Sequence, residues 1–251
     1  MKTSIFKYKK IYISFILLLS LFLTVSISSK SLKYSGKISK IDGKYAFYKM
    51  GKKWKRLKVN TKIYNGVKIK TGSKTRVIVK FNDHSELRLA QKSSIKINKA
   101  FVKSPEKREI SARLLFGKLW AKVSKSKNKN KNFNVTTETA TAGVRGTTFS
   151  VSFEDDKSSI VSLYTGSVDV EPSKKLETKK DMRNYDKRVR KEVSGPKEVK
   201  LKDWNKIVLK QMQRVTVAKD GNMIKSEINM EKEAKDTWVA WNSKLDKEEE
   251  K

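Results

Sequence analysis

A mainly β fold, an antiparallel and solenoid-like β-sandwich with a short C-terminal helical tail, is predicted by three features of the chain. Apolar and polar residues alternate in short runs, turn residues recur every 8 to 12 positions, and helical spacing appears only near the end. Strict alternation of this kind suits sheets with one wet face.

In order, TRVIVKF places Val77, Val79 and Phe81 on one face, ELRL offers Leu87 and Leu89, and SIKI offers Ile95 and Ile97. GKLWAKV alternates Leu119, Ala121 and Val123, and TTFSVSF alternates Phe149, Val151 and Phe153. SIVSLYTGSVDV supplies Val161, Leu163, Val168 and Val170, and KEVKL and QRVTV return to strand character near the end. Turns are expected at Asp42-Gly43, Asn65-Gly66, Thr71-Gly72-Ser73 and Thr165-Gly166-Ser167. Glu154, Asp155 and Asp156 read as a hairpin tip. Two stretches interrupt the sheet: the lysine-rich residues 124–132 and a basic insertion at 172–197 with ten basic and four acidic residues. Beyond Lys219, Ala234, Trp238, Trp241 and Leu245 are spaced 4, 3 and 4, one face of a helix. The expected organisation is therefore a leader at 1–28, a β domain at 29–171, the insertion at 172–197, returning strands at 198–218 and a helical tail at 219–251.

The leader rests on Lys2, Lys7, Lys9 and Lys10 ahead of an apolar run at residues 11–25, followed by Ser26, Ile27 and Ser28. This is the layout of a secretory signal peptide, cleaved near Ser28, or of an uncleaved anchor touching the membrane through residues 11–27. Both send the remainder out of the cytoplasm. The formal net charge is +33, carried by 49 Lys and 10 Arg against 26 acids. Such charge favours a polyanion or an anionic surface, but lysine is a hydrated point charge without base-reading geometry, so sequence-specific nucleic-acid binding is not expected. The same lysines also fit a codon bias expressed on solvated faces. With no cysteine there is no disulfide or thiolate site, and the lone His84 has no ligating cluster in sequence.

One stretch needs its own test. ATAGVRGTTF has two glycines around Val144 and Arg145. A phosphate-binding loop would need Gly-Lys-Ser/Thr opening a helix, and an RNA-clamping GxxG would need helical flanks. Here Gly146 is followed by Thr147, Thr148 and Phe149 in a strand pattern, which leaves a tight corner between strands.

GVRGTTFSV resembles the signature corner of the FecR-like domain, an extracytoplasmic β module of bacteria. The resemblance continues through GVKIKTGSKTRVIVKFNDHSELRL, LLFGKLWAKV, FNVTTETATA and SLYTGSVDV, and DTWVAWNSKLD resembles a segment that often follows the module. It spans roughly residues 31 to 245. The turn that the family usually writes DGS is Asp83-His84-Ser85, where histidine tolerates the left-handed backbone. Signalling members carry a cytoplasmic sigma-factor-binding segment before a membrane span. Only about ten residues precede the apolar run here, so the resemblance implies the outside module and not the sigma-factor role.

The expectation is an exported, non-enzymatic protein of the periplasm or cell envelope, with no cofactor, metal or catalytic set. Its partner would be an envelope protein or an anionic polymer: cell-wall polyanion, lipid headgroups or nucleic acid. A membrane-anchored signalling regulator is the alternative. Gly143, Arg145, Gly146, Thr147 and Phe149 are read as the structural corner, with Arg145 either packing or pointing outwards. Arg145, Trp238, Trp241, Lys125, Lys127, Lys129 and Lys131 are the candidate partner contacts.

Overall fold

The computed structural model of the chain describes residues 34–104, 107–125, 133–144, 146–173 and 207–248. The leader, Arg145, Lys127, Lys129, Lys131, KEVKL and nearly all of the basic insertion lie outside the described residues.

Seventeen described strands join in one hydrogen-bonded network. They are β1 (Gly36–Asp42), β2 (Ala46–Lys49), β3 (Trp54–Arg56), β4 (Lys62–Ile63), β5 (Lys68–Thr71), β6 (Arg76–Phe81), β7 (Glu86–Leu89), β8 (Ser94–Val102) and β9 (Arg108–Lys122). Then come β10 (Phe133–Thr136), β11 (Ala140–Val144), β12 (Thr148–Phe153), β13 (Ser159–Thr165), β14 (Val168–Pro172), β15 (Ile207–Leu209), β16 (Gln213–Val217) and β17 (Met223–Glu227). Helices α1 (Met230–Lys235) and α2 (Thr237–Glu248) follow.

The network divides at β9 into two ladders. One runs β4, β1, β6, β7, the second half of β9, β12, β13, β16 and β17. The other runs β3, β2, β5, β8, the first half of β9, β10, β11, β14 and β15, with β10 parallel to β9 and the rest antiparallel. The chain changes ladder every one to two strands, which gives the solenoid-like winding.

The two ladders share one apolar core. Val77, Val79, Leu87, Leu119, Phe149, Val161 and Leu163 of the first pack in the same cluster as Ile69, Ile95, Ile97, Phe133 and Val170 of the second. Phe81 meets Phe133 edge to face at 6.4 Å. Every apolar residue expected to face inwards along these runs is buried.

β9 makes the crossing. A straight strand of 15 residues would span about 50 Å. Yet the Arg108 guanidinium, at its start, donates from Nη2 to the Ser124 carbonyl, just past its end, at 2.7 Å. The strand turns back at Gly117, whose φ is +92 and whose absent Cβ would lie 2.7 Å from the Ser93 Cα. Only glycine fits there.

Two expectations change. The tail expected to be helical from 219 opens with β17, hairpinned to β16 through the turn at Gly221. Its helical part breaks at Asp236, the C-cap of α1, so Ala234 is exposed while Trp238 is buried. The outer face of the first ladder is not uniformly wet either. The helices cover part of it, so all four residues of β7 are buried, Glu86 and Arg88 included.

Candidate functional site

The corner carries the chain from β11 in the second ladder to β12 in the first. Gly143 lies in β11, opposite both Asn134 and Asp169. Gly146 has φ +62, and a Cβ there would meet the Lys125 Cα at 3.1 Å. The Thr147 carbonyl accepts the Val123 amide at 2.8 Å, and Phe149 is buried in the core. A second corner stacks on it: a Cβ at Gly166 would lie 2.6 Å from the Thr147 Cγ2. Left-handed glycines thus let two ladder crossings touch through backbone.

Beside this corner lies a buried ion pair. Asp83 is fully buried and its Oδ2 accepts from Arg108 Nη1 at 2.5 Å and from Ser85 Oγ at 2.7 Å. Ser85 Oγ in turn accepts the Ser124 amide at 3.1 Å. His84, at φ +67, is exposed between them. The Asp-His-Ser turn therefore orients an acid and a hydroxyl inwards, where they fasten the start of β9 to its far end.

A second polar cluster lies beneath the tail. Arg88, fully buried, pairs with Glu86 at 3.0 Å and with Asp246 of α2 at 2.8 Å, and donates from Nη1 to the Asn242 carbonyl at 3.2 Å. Trp120 Nε1 donates to Asp246 at 3.2 Å, and its ring stacks on Tyr164 at 4.4 Å. Tyr164 donates to Glu233 of α1 at 2.9 Å, and Arg214 pairs with the same carboxylate. Burial pushes the Tyr164 hydroxyl well above the usual phenol range, with the Glu233 charge acting in the same direction. A groove of about 630 Å³ runs along α2, lined by Tyr164, Ala234, Val239, Ala240 and Ser243 among others.

Of the candidate contacts, Trp238, Trp241 and Lys125 are among the described residues. Trp238 is buried against Ala90 and Trp120 and stacks on Trp241 at 5.4 Å, while the Arg76 guanidinium lies 5.0 Å from the Trp241 ring. This pair is occupied in seating the tail. Lys125 is exposed beside Gly146. Sequence reasoning missed Arg88 because it stands in a polar position of an alternating strand, where a solvated side chain is the default, and missed Arg108 because it holds an inward position, in phase with Ile110, Ala112 and Leu114, that the pattern reserves for apolar residues. The turn at Asp83 carried the only available signal. Among the described residues no three His, Asp or Glu side chains converge as metal ligands.

Residues 67–169 match the family described as FecR protein. Two crystal structures of a candidate anti-sigma factor from Parabacteroides distasonis also resemble the chain, at 17% and 16% identity with TM-scores of 0.45 and 0.44. The likeness covers 66% of this chain and 61% of each of those. No curated protein matches the sequence. The family match is narrower than the span of 31 to 245 expected from sequence, running from just before β5 into β14. The chain carries a FecR domain over these residues.

Proposed function

We propose that this protein is exported and non-enzymatic, and that its FecR domain recognises or scaffolds a partner in the periplasm or cell envelope. The observation that carries the reading is the FecR match over residues 67–169. The polar clusters support it. Asp83 with Arg108, Arg88 with Glu86 and Asp246, and Glu233 with Arg214 and Tyr164 satisfy one another and join separate elements. Each of these charges is taken up in contacts between elements of the fold, which suits a structural role.

The basic leader followed by an apolar run and small residues supports export. A pull-down tests the function. The chain from residue 29 onward, immobilised and exposed separately to envelope and cytoplasmic extracts, is expected to retain a component from the envelope alone. Retention only from the cytoplasm, or from neither, contradicts the reading.

A further inference from the structure

The geometry points to the outer face of the second ladder as a binding surface for a linear polyphosphodiester, recognised by its phosphates. The inference depends on the export reading only for the polymer's source, which would then be an envelope phosphate polymer.

Strand register sets cations in line. Lys49 of β2 is opposite Lys68 of β5, Lys68 is opposite Lys96 of β8, and Lys96 is opposite Arg113 of β9. Their neighbours Tyr48, Ile69, Ile95, Ile97, Ala112 and Leu114 face the core, so these four point outwards. At about 4.8 Å between strands the row spans some 14 Å. A parallel row places Arg56, Phe47 and Lys70 side by side.

Like charges directly opposite one another destabilise a sheet, and nothing here relieves them. β2, β3, β5 and β8 contain no Asp or Glu. Among the described residues, none of Lys49, Lys68, Lys70, Lys96 or Arg113 is ion-paired. Other lysines have partners: Lys80 with Glu86, Lys118 with Glu154 and Asp236, and, on this same face, Lys99 with Glu109, the outward acid of β9. Among the described residues the helical tail packs on the other ladder, against Ala90, Trp120 and Tyr164. A uniform lysine bias explains abundance but not four cations in register without an ion-pair partner; an anionic chain laid across β2, β5, β8 and β9 would neutralise the row.

The aromatics decide between phosphate and base. Lys70 Nζ lies 4.4 Å from the Trp54 ring centroid and 5.6 Å from that of Phe47. Lys70 occupies the ring faces on which a base would stack, but Trp54 is itself 40% exposed, so the test includes a base-bearing ligand and Trp54→Ala.

The test uses the full chain, poly(glycerol phosphate), and an oligothymidylate of matched phosphate number. A variant with Lys49→Ser, Lys68→Ser, Lys96→Ser and Arg113→Ser is compared with an equal-charge control, Lys225→Ser, Lys232→Ser, Lys235→Ser and Lys244→Ser. All four control sites lie on β17 and the tail helices. Melting temperatures confirm that each variant folds. The ladder variant is expected to lose about tenfold or more in affinity at low salt, with the log–log salt slope reduced by about 3, at roughly 0.7 per phosphate neutralised. The control should keep most of its affinity. Equal losses in both variants, or no loss in the ladder variant, overturn the assignment. So does much tighter binding of the oligothymidylate that disappears with Trp54→Ala, which would mean base recognition. None of these results depends on where the protein resides, so the export reading stands or falls separately.

Discussion

Asp83 and Arg108 form a fully desolvated pair at the end of the sandwich where β9 closes on itself. Removing one partner of such a pair leaves an uncompensated buried charge, at a cost of about 3 to 5 kcal/mol, whereas replacing both by apolar groups is often close to neutral. Asp83→Ala is therefore expected to destabilise the protein by about that amount in chemical denaturation, and adding Arg108→Met should recover much of the loss. Equal midpoints for parent and Asp83→Ala would show that the pair does not fasten the strand. At this scale the sequence was partly legible. A left-handed turn at His84 and a glycine corner at Gly146 follow from residue types, because few side chains tolerate positive φ. That the acid of the turn would meet an arginine 25 residues away does not follow, since it depends on how far β9 bends at Gly117.

At the scale of elements, alternation was the reliable signal. The runs at residues 75–81, 147–153 and 159–170 bury the residues their pattern assigns. The tail was less legible, for a physical reason. Its helical spacing begins at Ala234, but Asp236 breaks the helix, and the short Met223–Glu227 strand ahead of it is exposed along most of its length, without apolar alternation. Burial of Arg88 was invisible because a residue 154 positions later supplies its cover. The tail contact also carries a pH dependence. Tyr164 ionises less readily in the folded protein than unfolded, so its contribution is intact below the ordinary phenol value of about 10 and is lost as pH rises beyond it. The melting temperature should thus fall more steeply above about pH 10 in the parent than in a Tyr164→Phe variant. Parallel curves would mean that the hydroxyl is not confined beneath α1.

For the whole molecule, the two ladders differ in what lies outside them. One is partly covered by the protein's own helices through matched charges, and the other sets Lys49, Lys68, Lys96 and Arg113 in register, none of them ion-paired among the described residues. Of this, the β class was legible in the alternation and the family in GVRGTTFSV and the strands around it, whereas the division into a helix-covered ladder and a cationic one appears only once the strand order is known. Fractionating cells that produce the protein and sequencing its N-terminus tests export. A chain beginning at about Ser29 in the extracytoplasmic fraction is the result expected, because Ser26 and Ser28 supply the small residues a signal peptidase requires. An intact Met1 in the membrane fraction would instead favour the anchored regulator, and full-length protein in the cytoplasm would contradict the account.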